Sequence, residues 1–420
     1  MTLNQLFLFS WTVLVVNGAL PMIQLLILGR VPMPPSTPKL LLIAVAYIIL
    51  LWRKKWQTPR AITSWVLVMA IYLFVCYFVW TANPSPEGYS LSGIASYYMG
   101  FVILALAFTL PGSLSSQSIA LFLIVLSIPL DLLGISQYLS GESILPQSED
   151  SGSSYSMVNS VNFHGALRGF SLFSSGLEFG NFVNLVSCIL VAAIFLKRKG
   201  GARIRLGAFV ALLLSACAVY STLTRAVYGQ FLLGITSAIL FSRSSPARGH
   251  VLLFTLIFGG VGFSVIFAVP FVQSLLSSDL TSSGSLLMRL VEWGYYSGHL
   301  LAGDLTTLLF GTGLTQGGNV GDITIDNGPL AVAYQAGILG LILWLWGGYI
   351  VLRFVQEQLR ANPLSALHVG VAAYVSTWLY ICLWNTLPDN GARVAVLAAL
   401  CAASAKRDEL EAPLELKELR

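Results

Sequence analysis

The sequence predicts an all-α integral membrane protein of about twelve transmembrane helices, and three observations carry that prediction. The first is compositional: 56% of the 420 residues are hydrophobic and only 10% are charged, less than half the share of about 25% in ordinary soluble domains. A water-facing surface cannot be built from that ratio. The second is segmentation, for the apolar residues fall into runs near the length of about 20 that a helix needs to cross a bilayer. The third is charge placement. The formal charge of +5 is spread over short basic clusters between the apolar runs, which marks topology and excludes a basic nucleic-acid-binding face.

Taken in order, apolar runs bounded by Pro, Gly and charge give spans near residues 5–29, 38–52, 61–80, 93–111, 117–137 and 176–196. A second half follows near 206–222, 225–242, 250–273, 328–352, 366–386 and 390–404. The opening run, MTLNQLFLFSWTVLVV, lacks a basic leader and outlasts a signal-peptide core, so it reads as the first span. Residues 1–405 thus form one polytopic domain, and residues 406–420 a short acidic cytoplasmic tail. All five cysteines (Cys76, Cys188, Cys217, Cys382 and Cys401) lie in apolar runs, with neither a CxxC pair nor a disulfide framework.

Consecutive spans must alternate, so placing Arg53, Lys54, Lys55 and Arg60 in the cytoplasm fixes every other loop. The clusters at Lys197, Arg198, Lys199, Arg203 and Arg205, at Arg243 and Arg248, at Arg353 and Arg360, and in the tail then all fall inside. Both termini are expected in the cytoplasm. Two outer loops exceed hairpin length, about 138–175 and 274–327, the second lying between helices 9 and 10.

Six basic residues remain on the outer side. Arg30 and Lys39 cap or snorkel. Arg168, Arg225, Arg289 and Arg393 need a reason, because an arginine in or beside a span costs about 3 kcal/mol and normally faces a polar cavity. Arg225, in STLTRAVYGQ, stands between two spans joined by almost no loop; it reads either as a site residue or as a snorkel to headgroups. Arg168 opens RGFSLFSSGLEFGNF, where Glu178 reads as a helix cap, an ion-pair partner or a substrate contact. Arg289 begins MRLVEWGYYSGHLL, an amphipathic stretch whose bland reading is an interfacial anchor. Arginines converging at one face suit a phosphate-bearing substrate, diphosphate above all, because the guanidinium fork matches phosphate oxygens and stays charged. There is no DxD or HExxH and no EF-hand spacing to suggest a divalent metal, and no cofactor is expected.

The last signal is LLFGTGLTQGGNVGDITIDNGPLAVAYQAGILGLILWLW, where a Gly-rich loop ends in Asp326-Asn327-Gly328 and enters a helix. By spacing alone Asp326 reads as that helix's N-cap. His164 and His299 fall in the two outer loops, as loop residues or proton carriers; His250 and His368 fall on the cytoplasmic side.

Three of these segments, RGFSLFSSGLEFGNF, TLTRAVYG and the stretch from MRLVEW through LLFGTGLTQGG to DNGPLAVAYQAGILGLI, resemble in their order the bacterial O-antigen ligase and polysaccharide polymerase superfamily. The likeness covers about residues 165–350. It implies a GT-C-like, lipid-dependent, metal-independent glycosyltransferase at the outer face of the cytoplasmic membrane. The implied donor and acceptor are undecaprenyl-diphosphate glycans, with a chain-length regulator and a flippase as possible partners and no nucleic acid. Arg225 and Arg289 match the family's diphosphate-holding arginines, and Arg168 the arginine that opens its earlier motif. Arg168, Glu178, Asn327 and His299 are the expected substrate contacts, with Asp326 as the base. Ligases that load O-antigen onto lipid A-core resemble one another in having His before Asn, whereas Asp326 here looks more like polymerases of O-antigen, capsule or exopolysaccharide repeats. The alternatives are such a ligase and, in a different class, a lipid-linked glycan flippase or secondary transporter. The absence of an internal repeat and the gathering of charge at outer loops disfavour the transporter.

Overall fold

The computed structural model describes residues 60–82, 116–142, 162–163, 166–173, 176–196, 202–243, 251–276, 284–312, 319–320, 323–324 and 327–384. The expected spans near 5–29, 38–52, 93–111 and 390–404, and the tail, lie outside them.

Among the described residues helix dominates. In chain order the elements are α1 (Arg60–Ala82), α2 (Ser116–Ser140), a two-stranded hairpin of β1 (Asn162–Phe163) and β2 (Ala166–Leu167), α3 (Gly176–Phe195), α4 (Ala202–Ser221), α5 (Arg225–Arg243) and α6 (Val251–Leu276). There follow α7 (Gly284–Ala302), α8 (Leu305–Phe310), a second hairpin of β3 (Asn319–Val320) and β4 (Ile323–Thr324), α9 (Gly328–Ala361), α10 (Ala366–Ser376) and α11 (Trp378–Cys382). Both hairpins are antiparallel, pairing Phe163 with Ala166 and Val320 with Ile323.

By length and hydropathy α2, α3 and α9 suffice to cross a membrane. Their surroundings invert the soluble arrangement. Leu67, Phe74 and Phe78 on α1, Leu121 and Leu132 on α2, Leu206 and Leu213 on α4, and Ile342 and Trp346 on α9 point outward. Asp131, Gln137, Asn181, Asn184 and Gln230 are buried. Apolar outside with polar inside is what a lipid solvent selects.

The bundle is built round α3, which is buried on every side from Phe179 to Ala192 and packs on α2, α4, α5 and α10. Small residues let these neighbours approach closely, as is common where lipid supplies no hydrophobic drive between helices. Gly180 receives the side chain of Val227, and a Cβ at Gly370 would lie 2.6 Å from the Cα of Ile189. Outside this group α1 packs on α9, and α9 stacks Trp344 on Trp378 with ring centroids 4.7 Å apart.

Two expected spans have a different form. The segment expected over 328–352 is a helix of 34 residues broken at Gly337, where φ is 67° and ψ is −170°. Unbroken it would run about 51 Å, far more than a bilayer core needs. Residues 338–361 alone cover about 36 Å, leaving 328–336 as a separate short helix. The segment expected over 366–386 stops at Ser376, and Thr377 turns the chain before α11.

Candidate functional site

The first cluster of candidate residues lies where α2 and α4 end and α3 and α5 begin. The α4–α5 corner has three residues, and threonines hold it. Thr222 Oγ1 donates to the Val219 carbonyl at 2.8 Å, Thr224 Oγ1 donates to the Thr222 carbonyl at 2.9 Å, and the amides of Val227 and Tyr228 donate to the Thr224 carbonyl to start α5. Leu223 between them adopts φ 48°. Arg225 opens α5 and is exposed. A cation there opposes the helix dipole, so the helix N-terminus and the guanidinium together favour an anion.

The segment carrying Arg168 is stitched to this corner. Leaving β2, the chain passes Arg168, and the Gly169 amide donates to the Ser221 carbonyl at 2.8 Å. A Cβ on Gly169 would collide with Ser221 Oγ and lie against the Gly134 carbonyl, so only glycine lets the strand sit here. Gln137 at the end of α2 completes the bracket. Its Oε1 accepts from the amides of Phe170 (3.2 Å) and Ser171 (2.7 Å), and its Nε2 donates to the Ser171 carbonyl at 3.1 Å. Ser171 adopts φ 53°. Among the described residues Ser171 and Leu223 are the two non-glycine residues with positive φ, one three residues after Arg168 and the other two before Arg225. Strain of this kind persists only where surrounding structure over-determines it, and it concentrates at functional sites.

Arg168 is half-buried, and its charge reaches the phenol of Tyr228 on α5. Tyr228 donates its hydroxyl to the Tyr220 carbonyl at 2.8 Å and stacks on the Tyr220 ring, which meets Tyr138 edge-on at 5.9 Å. The three phenols thus form one cluster, and Arg168 acts on its Tyr228 member. Glu178, half-buried, sits in the first turn of α3, where its charge complements the helix N-terminus.

The second cluster is built on α9. Asn327, not Asp326, is its N-cap: the Asn327 side chain accepts from the Leu330 amide at 3.0 Å. The sequence expectation of an Asp326 cap is corrected accordingly, because the carboxamide one residue later has the extended backbone that reaches the third amide of the helix. Asp326 itself lies outside the described residues. Arg289 falls within α7, with its side chain outside the described set. The amphipathic character expected of MRLVEWGYYSGHLL shows in the later turns of α7, where Tyr296 and Leu300 are buried and Tyr295 and His299 are exposed. Tyr296 packs edge-on against Tyr334 of α9 at 5.1 Å, and His299 lies 6.1 Å from the same ring. Asp304 caps α8 by accepting from the Thr307 amide at 2.7 Å, which holds its carboxyl below the usual carboxylate range.

The G-x-G element locks onto the break in α9. Thr312 donates both its amide (2.9 Å) and its hydroxyl (3.0 Å) to the Tyr334 carbonyl. A Cβ on Gly311 would collide with the backbone of Gln335 and Ala336, and one on Gly337 with that of Leu309 and Phe310. Both glycines have positive φ, 82° and 67°.

Arg168 and the Arg225 corner therefore come together, as do His299 and the helix capped by Asn327. The third arginine and Asp326 cannot be added to either geometry. His164 also lies outside the described residues. Sequence reasoning missed Gln137, the three tyrosines and Asp131. The signal for Gln137 and Asp131 was a single polar side chain within an apolar run. Asp131 is 1% exposed and accepts from Ser215 Oγ at 3.0 Å. Such intramembrane groups normally face the bundle interior.

The fold and the two clusters define a helical protein with the features of a membrane-embedded one. Neither a family model nor a curated protein matches its sequence.

Proposed function

We propose that the chain is a membrane glycosyltransferase that polymerises undecaprenyl-diphosphate-linked oligosaccharide repeats of a surface polysaccharide. The observation that carries the reading is the packing of RGFSLFSSGLEFGNF onto TLTRAVYG. Two segments resembling one family's motifs, far apart in sequence, share one end of the bundle, joined through Gly169 and Ser221. Arg168 and Arg225 then belong to one locality, with the N-terminus of α5 adding positive potential. Such a place suits a diphosphate.

The reaction is one inverting displacement. An acceptor hydroxyl oxygen attacks the anomeric carbon of the donor glycan, the bond from that carbon to the diphosphate oxygen breaks, and the hydroxyl proton passes to Asp326. Arg225 and Arg289 stabilise the charge that develops on the departing lipid diphosphate. Arg168, Glu178, Asn327 and His299 serve substrate binding, at the outer face of the cytoplasmic membrane.

The test uses membranes containing the wild type and the Arg225→Ala, Arg289→Ala and Asp326→Ala variants, supplied with an undecaprenyl-diphosphate repeat unit. Lipid-linked products are resolved on a gel. The expected result is a ladder from the wild type, reduced about 100-fold or more in each arginine variant at equal membrane content. An unchanged ladder from Arg225→Ala would sink the assignment. Glycan transferred to added lipid A-core, without a ladder, would point to a ligase, and movement across the bilayer without new glycosidic bonds to a transporter.

A further inference from the structure

The junction of α3, α5 and α10 holds polar atoms that the site above does not use. Asn184 of α3 donates through Nδ2 to the Val227 carbonyl at 3.2 Å and to Gln230 Oε1 at 2.8 Å. Gln230 Nε2 donates to Thr377 Oγ1 at 3.2 Å, and that hydroxyl donates to the Tyr374 carbonyl at 2.6 Å. The result is a directed chain across three elements, whose first acceptor, Asn184 Oδ1, has no partner among the described residues.

Asn181 stands one turn nearer the Arg225 end. It is 1% exposed, and among the described residues neither its Nδ2 nor its Oδ1 has a partner. Its direction follows from helix geometry. Gly180 faces Val227 of α5, and Ile189 faces Gly370 of α10. Those two contacts lie on opposite sides of α3, and Cys188, seven residues on from Asn181 and about 20° from it round the helix, decides the direction. Its Sγ meets Gly234 of α5 beside Thr377, so Asn181 points toward the junction of α5 and α10. Residues three apart on a helix share a surface, so Asn181 and Asn184 address the same place.

The valences of these atoms select what fits. Two carboxamide oxygens call for hydrogens, and the Asn181 Nδ2 hydrogens call for lone pairs. A cation offers no lone pairs to Nδ2. An anion offers no hydrogens to Oδ1. A neutral hydroxyl oxygen offers both. We propose that the α3/α5/α10 junction is a binding site for a neutral hydroxyl, held by Asn181 and by Asn184 Oδ1 and continued into the bundle by Gln230 and Thr377. The hydroxyl belongs either to an internal water or to a glycan reaching in from the Arg225 end. The site stands apart from the glycosyl-transfer reading, since any hydroxyl satisfies it.

The purified protein with Asn181→Thr or Asn181→Val tests this by thermal unfolding in detergent, because the two side chains share a shape and differ in one hydroxyl. A polar occupant makes the Val variant melt lower than the Thr variant, by about 2 °C or more. Equal melting, or a more stable Val variant, would mean a dry junction and overturn the proposal. With the proposal upheld, added maltotriose separates the sources: a gap that it leaves unchanged assigns the hydroxyl to water, and a gap that it widens assigns it to a glycan. Should neither variant fold, a density map of the wild type at water-resolving quality decides. An ordered oxygen within hydrogen-bond distance of Asn181 supports the site, and its absence there overturns it.

Discussion

Single residues decide whether the break in α9 can exist. Gly337 is held at φ 67°, and a Cβ on it would meet the backbone of Leu309 and Phe310. Gly311, at φ 82°, meets the Gln335 and Ala336 backbone in the reverse sense. An L side chain in the left-handed region costs about 1–2 kcal/mol before any collision. Backbone atoms, unlike the end of a flexible side chain, cannot swing aside. Gly337→Ala and Gly311→Ala should therefore each lower thermal stability in detergent by more than that backbone cost. Because both substitutions open the same contact, the double variant should lose less than the sum of the two. Full additivity in that cycle would show that the two glycines act independently and that the lock does not exist. Leu223 and Ser171 represent the opposite case, in which a side chain is tolerated at positive φ because threonine and glutamine hydrogen bonds over-determine the backbone around it.

At the scale of elements, the bracket formed by Gln137 joins the end of α2 to the segment that carries Arg168. One fully buried carboxamide satisfies two amides and one carbonyl there. Gln137→Leu keeps a similar volume and leaves three buried backbone groups unpaired, at about 1–3 kcal/mol each. The expected outcome is a marked fall in melting temperature, with the segment 168–173 becoming the first to exchange its amide hydrogens. Unchanged protection at Phe170 and Ser171 would show that the Gly169–Ser221 bond suffices to hold the segment. The helices were legible from hydropathy because an apolar run must be helical in lipid, and α1 to α6 start and end close to where Pro, Gly and charge place them. The break in α9 was not legible. Gly337 is one of several glycines in a long apolar run, and its positive φ is imposed by the distant 309–312 segment rather than by its neighbours. The role of Gln137 was not legible for a related reason: a single amide in an apolar run stands out as polar, but its partners lie more than thirty positions away. Arg168 and Arg225 could be singled out because charge in such a run is costly, whereas Tyr138, Tyr220 and Tyr228 read as ordinary interfacial aromatics.

At the scale of the whole molecule, α2 to α5 alternate so that their ends fall into two layers. One layer holds Gln137, Gly169, Gly176, Ser221 and Arg225, tied together by the contacts among them. The opposite layer holds the end of α3 and the end of α5, where the Arg243 guanidinium lies 4.8 Å from the Phe195 ring centroid. In the sequence, basic residues follow the ends of α3 and α5 directly, at Lys197, Arg198, Lys199, Arg203 and Arg205 and at Arg243 and Arg248. Positive charge is retained on the cytoplasmic side during insertion, so the Arg243 layer should face the cytoplasm and the Arg225 layer the exterior. Exposed positions at each end make this measurable: Ser140 beside the first layer, Arg205 and Arg243 beside the second. In a background with all five native cysteines replaced, Ser140→Cys should react with a membrane-impermeant maleimide on intact cells. Arg205→Cys and Arg243→Cys should react only after the membrane is opened. Labelling in the reverse order would place Arg168 and Arg225 in the cytoplasm, where a donor presented at the outer face cannot reach them, and would remove the proposed glycosyl transfer whatever the activity of the arginine variants.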